Sequence, residues 1–174
     1  ADNRDDLYIM SRPPAAPPVT ATPFLANPLV VIAAADHPLA GRRAVPIEAL
    51  ADEEFVLREP GSGTRQAAES FFAEHDIVLR PRLELGSNEA VKKAVAAGFG
   101  LAIVSMHAVE DAERENLAVL PVKGFPIDSQ WHLVHPAARA LSPPARAFLE
   151  YALGSVPGRS RPHSSPPPAS TGPA

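Results

Sequence analysis

The chain has 174 residues, a formal net charge of −4 and no cysteine. This length allows one ordinary domain or two small lobes, and the lack of cysteine excludes disulfide bonds and thiolate metal sites. The acidic balance argues against direct nucleic-acid binding by this segment, because that function calls for a basic face. No apolar run approaches the roughly 20 residues that a membrane span needs. The polar start, without an initiator methionine, is unlike a signal peptide and suggests a processed chain or a fragment.

Strands and helices are predicted to alternate along the chain. Short apolar or alternating runs are typical of strands, and they occur at Leu7–Met10, Leu29–Ala34, Phe55–Leu57, Leu79–Leu85, Leu101–Val104, Leu117–Val122 and Trp131–Val134. Helices are predicted from caps and apolar spacing at Pro46–Leu50, Thr64–Glu74, Ser87–Ala97, Ser105–Glu115 and Ser142–Leu153. This order favours an α/β fold with a mainly parallel sheet.

Two segments are predicted to lie outside that pattern. The prolines from Pro13 to Pro18 indicate a stiff, extended linker. Residues 154–174 are rich in Pro, Ser, Gly and Arg and carry almost no apolar content, which predicts a disordered tail. In the helix that begins after Ser87, we expect Lys92 and Lys93 to face solvent.

The strongest candidate site is the Gly-rich loop Arg58–Arg65, which joins a predicted strand to a predicted helix. Free N–H groups and the positive end of the helix dipole converge at such a point. Ser62 and Thr64 would add hydroxyl groups, and Arg65 could pair with a carboxylate or phosphate. A plain helix cap, with Arg65 on the surface, explains the same residues equally well. The loop lacks the Gly-Lys-Ser/Thr ending of a Walker A motif, so NTPase activity is not expected.

A second candidate lies at Gly86–Glu89, where Ser87 and Asn88 again follow a strand and open a helix. Ser105 occupies a third junction of this kind. In a parallel sheet these helix N-termini gather at one edge, so the three junctions would form one rim around a small anion. The plainer interpretation is that Ser87 and Ser105 only cap their helices.

Other motifs give little support for chemistry. Gly98–Gly100 follows a helix, whereas a dinucleotide fingerprint follows a strand. His132 and His135 lie three apart on a strand and so point to opposite faces, which does not suit a metal pair. The sequence shows no defensible nucleophile–base arrangement. We therefore expect no enzymatic activity, no metal and no cofactor.

Several blocks occur together in the order found in one family of bacterial proteins. They are Asp6–Pro14, Asn27–Ala33, Asp36–Ala40, Arg58–Arg65, Ser87–Lys92, Ala97–Ser105, Gly124–Pro126, Trp131–His135 and Leu141–Pro143. With these blocks, the stretch from Asp6 to Leu153 resembles the C-terminal effector-sensing domain of LysR-type transcription regulators. Within that family it looks closest to the regulators of Calvin-cycle operons.

The resemblance implies a fold like that of type 2 periplasmic binding proteins, with two α/β lobes joined by crossover strands. Mapped on that fold, residues 1–22 are part of lobe one and a crossover, and residues 23–125 are lobe two. Residues 126–153 are the return crossover and the C-terminal helix of lobe one. One lobe is then complete and the other partial, so apolar surface is expected to be exposed at Leu7, Ile9, Leu133 and Phe148.

The resemblance also implies the function of an effector sensor in a DNA-binding regulator. It places Ser11, Ser62, Gly63 and Thr64 beside the effector, and the geometry of the helix N-termini adds Arg12, Arg65, Ser87 and Asn88. The expected effector is an anionic metabolite of the sugar phosphate, phosphoenolpyruvate or NADPH class.

Family resemblance further implies a cytoplasmic protein that controls carbon-fixation genes and forms a homodimer or homotetramer at full length. It would reach promoter DNA only through a winged helix-turn-helix domain that this chain does not contain. A periplasmic solute receptor of the same fold is the alternative. An anion-binding transferase is a third and weaker possibility.

Overall fold

The computed structural model describes residues 5–155, which form eight strands and three α-helices. The strands are β1 (Tyr8–Met10), β2 (Val19–Ala26), β3 (Leu29–Ala34), β4 (Glu54–Arg58), β5 (Arg80–Leu85), β6 (Ala102–Ser105), β7 (Leu117–Leu120) and β8 (Gln130–Pro136). The helices are α1 (Gly63–Ala73), α2 (Asn88–Ala96) and α3 (Pro143–Gly154), with short 3-10 turns at Ile47–Leu50, Met106–Ala108 and Ala112–Glu115. The helical and strand content confirms the predicted α/β class.

Strands β6, β3 and β7 form one sheet and β4 pairs with β5. A bridge between β4 and the start of β6 joins them into one larger sheet with the order β5–β4–β6–β3–β7. This sheet is mixed, so the prediction of a mainly parallel sheet is wrong in part. Strands β4 and β5 pair in parallel, and a parallel bridge between Phe55 and Leu101 places β4 beside the start of β6. Strand β3, however, pairs antiparallel with both β6 and β7. The parallel relations link β4, β5 and β6, which helices α1 and α2 connect, because a parallel connection needs a crossover of that length. Strand β3 enters directly from β2, with no helix between them.

The core of this lobe lies on both faces of the larger sheet. All six residues of β3 are buried, as the continuous apolar run predicts. Alternate residues point to opposite faces. Val31 packs in the layer that contains Phe72 of α1, and Ile32 packs in the layer that contains Val91 of α2. Burial of both faces fixes the two helices on opposite sides of the sheet, and with them the positions of their N-termini.

A smaller antiparallel sheet has the strand order β1–β8–β2. Its central strand carries the buried residues Leu133 and Val134. The sequence did not predict β2, because Pro23 interrupts an otherwise alternating stretch. In the structure the pairing with β8 is irregular between Pro23 and Leu25, a position that tolerates a residue without an N–H group. Strand β2 begins at Val19, directly after the stretch Pro13–Pro18 that was predicted to be a linker.

Three more expectations need correction. The chain after Ser105 forms two 3-10 turns, where we predicted one helix. Lys92 is buried, and its ammonium group lies 3.0 Å from carboxylate oxygens of both Glu89 and Glu115, which compensates its charge. Leu133 is fully buried because it lies on the central strand of the smaller sheet, whereas Ile9 and Phe148 are exposed as predicted. The tail was predicted from residue 154, but Gly154 is the last residue of α3 and Ser155 is its C-cap; the rest of the predicted tail lies outside the described residues.

Candidate functional site

A cleft of about 380 Å³ lies where the start of α1 meets the smaller sheet. Its walls come from three parts of the chain: the segment after β1, one face of α1, and the segment that leads into β8. The lining residues are Ser11, Arg12, Gly63, Ala67, Ser70, Phe71, Glu74, Ile127, Asp128, Ser129 and Gln130. The cleft therefore joins the two sheets, which is where a ligand of a two-lobe protein is enclosed.

The first turn of α1 meets this cleft at Gly63 and has uncommitted backbone donors, whereas the predicted site residues Ser62 and Thr64 flank Gly63 and are not part of the lining. Ser62 occupies the N-cap position in an extended conformation, but its side chain makes no capping hydrogen bond, and the first turn holds no acidic residue. Within residues 5–155, the N–H groups of Gly63, Thr64 and Arg65 have no acceptor. The positive end of the helix dipole is thus left without a partner from the described chain.

Ser11 lies directly against the start of α1. A Cβ atom added to Gly63 would lie 2.9 Å from the Ser11 Cβ and 3.3 Å from its hydroxyl oxygen. Only glycine allows this approach, so Gly63 brings the segment after β1 within reach of the helix N-terminus. The structure thus places together Ser11 and Gly63, two residues predicted to belong to one site.

The charged groups of the cleft are unevenly paired. Arg12 is exposed and has no ion-pair partner among residues 5–155, so its guanidinium group is available to an anion. Glu74 and Asp128 also line the cleft and bring negative charge to it. Glu74 is the C-cap of α1, about 16 Å from Gly63 for a helix of this length. The end that suits an anion is therefore the end with Arg12 and Gly63.

The structure directs Arg65 away from the cleft. Its Nε donates to Glu69 at 2.7 Å, and its Nη1 donates to Glu84 at 2.8 Å and to the carbonyl oxygen of Arg58 at 3.0 Å. The hydrogen bonds to Glu69 and Glu84 raise the pKa of Arg65 above its ordinary value. Arg65 does not line the cleft, and its charge is compensated by its own neighbours.

Ser87 and Asn88 also lie outside the cleft lining. The three helix N-termini that were predicted to surround one anion therefore do not line a common cleft. The Ser87 hydroxyl accepts a hydrogen bond from the N–H of Ala90 and serves as a cap. The Asn88 side chain accepts a hydrogen bond of 2.7 Å from Arg58. Ser105 accepts from the N–H of His107, and it opens only a 3-10 turn.

Arg58 connects the starts of the two longer helices of this lobe. Its guanidinium group donates to Asn88 and, through two nitrogens, to both oxygens of Glu59 at 2.8 and 2.9 Å. The hydrogen bond from Arg58 lowers the pKa of Glu59 below its ordinary value. Sequence analysis included Arg58 in the loop motif but assigned it no role.

Most of the cleft lining beyond Ser11, Arg12 and Gly63 was not predicted from the sequence. Ala67, Ser70 and Glu74 follow Gly63 on α1 at intervals of four, three and four residues, the spacing of one helix face. This face was visible in the sequence, but only the apolar side of the helix was considered. The segment 127–130 has no local signal. Leu29 and Ile127 exchange backbone hydrogen bonds of 3.0 Å, and this pairing across almost a hundred residues places the segment there.

Gly100 belongs to the fold and not to a nucleotide site. It has a φ of +128°, and a Cβ at this position would overlap the carbonyl group of Glu54. Gly100 is thus explained by the close approach of the chain to β4, and Gly98 by its positive φ of +79° after the end of α2. Among the residues that the structure describes, no cluster of three or more His, Asp or Glu side chains could hold a metal ion.

Two sheets that the chain connects between β2 and β3 and between β7 and β8, with a cleft where they meet, define a ligand-binding domain of the two-lobe α/β class. The family model of the LysR substrate binding domain matches residues 1–156. The chain therefore belongs to the LysR substrate-binding domain family. Within residues 5–155, no helix has the length and apolar character needed to cross a membrane.

The chain is similar to curated proteins that are named as regulators of the RuBisCO operon. It is 47% identical over 152 residues to the RuBisCO operon transcriptional regulator of Acidithiobacillus ferrooxidans, covering 87% of this chain and 49% of the relative. It is 50% identical over 155 residues to the regulator of the same name from Allochromatium vinosum, covering 88% and 51%. The chain thus spans about half the length of the curated relatives it matches.

Solved structures agree with the fold. The CcmR regulatory domain of Synechocystis PCC6803, in complex with 2-PG, aligns with a TM-score of 0.82 and 46% identity, covering 90% of this chain and 76% of that one. The effector binding domain of QuiR, in complex with shikimate, aligns with a TM-score of 0.77 and 26% identity, covering 85% and 70%. One neighbour is a regulatory domain and the other an effector binding domain, each in complex with a small molecule.

Proposed function

We propose that this chain is the effector-sensing part of a LysR-type transcription regulator of carbon-fixation genes, and that it binds a small phosphorylated anion in the cleft beside α1. The observation that carries the proposal is the uncapped start of α1, with free N–H groups at Gly63, Thr64 and Arg65. The names of the relatives and the 2-PG bound to a similar domain support the same assignment.

The anion is expected at the end of the cleft that holds Arg12. Backbone N–H groups at a helix N-terminus suit phosphate oxygens, and hydroxyl groups of Ser11, Ser62 and Thr64 can add hydrogen bonds. Arg12 supplies the charge that compensates the phosphate. A dianion at this point would face no carboxylate from the first turn of α1.

The other predicted residues take different roles in this proposal. Asn88 acts through Arg58, and Ser87 caps α2, so neither is placed in direct contact with the anion. Arg65 donates through Nε and Nη1 to two carboxylates and a carbonyl oxygen, so its charge is compensated within the chain. We assign the direct contacts to Ser11, Arg12 and Gly63, which line the cleft, and to Ser62 and Thr64, which flank Gly63 at the open helix start.

The wider assignments rest on the family and the relatives. We propose a cytoplasmic regulator that contacts promoter DNA through a separate winged helix-turn-helix domain, acts as a homodimer or homotetramer, and shifts between states when the effector binds. No enzymatic activity is part of the proposal, since the relatives are transcription regulators. A periplasmic solute receptor of the same fold is less consistent with relatives that regulate operons.

Calorimetric titration of the full-length regulator tests the proposal. The panel contains 2-phosphoglycolate, phosphoenolpyruvate, a sugar phosphate and NADPH, each titrated into the wild type, Arg12→Gln and Arg43→Gln. Arg43 is an exposed arginine outside the cleft lining, so its variant is the matched control for loss of one positive charge.

At least one phosphorylated compound is expected to bind, and Arg12→Gln should weaken it by roughly 10-fold or more, as for loss of a charge-assisted hydrogen bond. Equal binding by Arg12→Gln and the wild type would place the site elsewhere. If no phosphorylated compound binds the wild type, the metabolite class is wrong.

A further inference from the structure

Arg65 holds three separate parts of the chain together. From the first turn of α1 it reaches the side chain of Glu84 on β5 and the carbonyl oxygen of Arg58 at the end of β4. Glu69, one turn further along α1, orients the same guanidinium group through Nε. The Arg65 side chain is only 14% exposed, so these contacts are formed in a partly desolvated position.

The contact to Arg58 extends this arrangement to α2. While the Arg58 carbonyl accepts from Arg65, the Arg58 guanidinium group binds Glu59 and Asn88. The starts of α1 and α2 are therefore connected through one residue at the end of β4. We call this set of contacts, formed by Arg58, Glu59, Arg65, Glu69, Glu84 and Asn88, the arginine brace.

We propose that Arg65 is a positioning residue of the effector site: through Glu84 and the Arg58 carbonyl it fixes the first turn of α1 so that its free N–H groups face the cleft. This inference rests on the function proposed above for that cleft. It replaces the direct anion contact predicted for Arg65 from the sequence.

A direct contact is disfavoured by the local charge and geometry. Two carboxylates lie within hydrogen-bond distance of one guanidinium group, so the neighbourhood of Arg65 carries no surplus positive charge. An anion that approached Arg65 would also meet the carboxylates of Glu69 and Glu84, which compensate its charge and repel the anion. As a brace, however, the same contacts restrain the helix start, and small displacements of donor groups weaken binding strongly.

Variants that conserve charge separate positioning from direct contact. Arg65→Lys keeps the positive charge but loses the planar fork that serves several acceptors at once, and Glu84→Asp keeps the negative charge but shortens its reach. Both would be made in the full-length regulator and titrated with 2-phosphoglycolate. The matched control is Glu54→Asp, because Glu54 pairs with Arg82 across the same two strands, outside the brace.

We expect Arg65→Lys and Glu84→Asp each to raise the Kd about 3- to 10-fold. The double variant should bind the effector no more weakly than Arg65→Lys alone, because both substitutions disturb the contact between Arg65 and Glu84. Glu54→Asp should leave the Kd unchanged. Amide hydrogen exchange at Gln66 and Ala67 should accelerate in both brace variants, while exchange in β3 stays at the wild-type rate.

A Glu84→Asp variant with wild-type affinity and wild-type exchange at Gln66 would overturn the inference, because a direct ligand does not depend on the length of its carboxylate partner. If the wild type fails to bind 2-phosphoglycolate or any other compound of the panel, the proposed function fails first. The exchange rates then still decide whether Arg65 fixes the start of α1.

Discussion

The starts of α1 and α3 have similar backbone geometry, but the first leaves its N–H groups free and the second satisfies them. Ser62 and Ser142 both occupy N-cap positions with extended backbones. The Ser142 hydroxyl accepts a hydrogen bond from the N–H of Ala145 and donates to Asp6 at 2.5 Å. Prolines at residues 143 and 144 have no N–H to satisfy. At α1, in contrast, the serine makes no cap and three N–H groups remain free.

The presence or absence of a side-chain cap thus distinguishes a helix start that contributes to stability from one that is open to a ligand. A free helix N-terminus costs stability, because a cap is worth about 1 kcal/mol. At α3 the chain recovers that stability with its own groups and leaves nothing for a ligand. At α1 it leaves the donors uncapped beside a cleft, and a bound anion would satisfy them.

The largest effect is expected from Gly63→Ala, which closes the gap between α1 and Ser11. The new Cβ would lie 2.9 Å from the Ser11 Cβ, so one of the two segments must move. We expect a loss of about 1–3 kcal/mol in unfolding free energy, as for overpacking, and loss of measurable effector binding. Urea denaturation and calorimetry check the two effects.

The double variant Gly63→Ala, Ser11→Gly removes the atom that clashes. Recovery of stability in the double variant would show that the contact with Ser11 causes the loss. A single variant that binds the effector normally would contradict the placement of the anion at this helix start.

The next effect compares the two serines directly. Ser142→Ala should lower the unfolding free energy by about 1 kcal/mol, because it removes a cap that the structure shows. Ser62→Ala should change it by less than about 0.5 kcal/mol, because its hydroxyl makes no capping bond. Denaturant unfolding of both variants under the same conditions measures the difference. Equal losses would mean that Ser62 caps α1 in solution and that the helix start is not open.

Ser62→Asp is expected to have a smaller effect, which raises stability and lowers effector affinity. A carboxylate at the N-cap of α1 interacts well with the free N–H groups and the dipole, so stability should rise by about 0.5 kcal/mol. The same carboxylate would occupy the place of the anion, so effector affinity should fall. Ser62→Asn, a neutral cap, is the control for charge. A variant that gains both stability and affinity would contradict the proposed anion position.

Local sequence patterns predicted the elements whose structure is determined locally. The buried run Leu29–Ala34, the cap at Ser87 and the double-proline start of α3 all appear as expected, because each depends on side chains within a few residues. The open character of the α1 start was also visible, since the loop Arg58–Arg65 carries no acidic residue after Glu59.

What the sequence did not predict depends on pairing between distant segments. The antiparallel placement of β3, the strand β2 and the cleft wall at 127–130 all arise from partners far away in the chain. The partners of Arg65 were missed for the same reason: Glu84, 19 residues away on β5, accepts a hydrogen bond from its guanidinium group. Periodicity predicts an element, but its neighbours decide which donors and charges stay free.

The smallest predicted effect is a pH dependence at Glu59, immediately before the open helix start. The hydrogen bond from Arg58 lowers the pKa of Glu59 below its ordinary value of 4.5. Its stabilising contribution is therefore fully present above that ordinary value and is lost as the pH falls through the lowered one. The Glu59 side chain is 44% exposed, so solvent screening keeps the effect small.

Comparison of the wild type with Glu59→Gln isolates this contribution, because the other carboxyl groups titrate in both proteins. We expect the difference in unfolding free energy between them to shrink as the pH is lowered from about 6 to about 3. Urea denaturation at several pH values measures it. A difference independent of pH would mean that the Arg58–Glu59 pair does not form in solution. The Arg58 guanidinium group would then be available to the effector. In that case Arg58 would join the unpaired N–H groups of Gly63, Thr64 and Arg65 as a donor at the start of α1 that has no counterpart at α3.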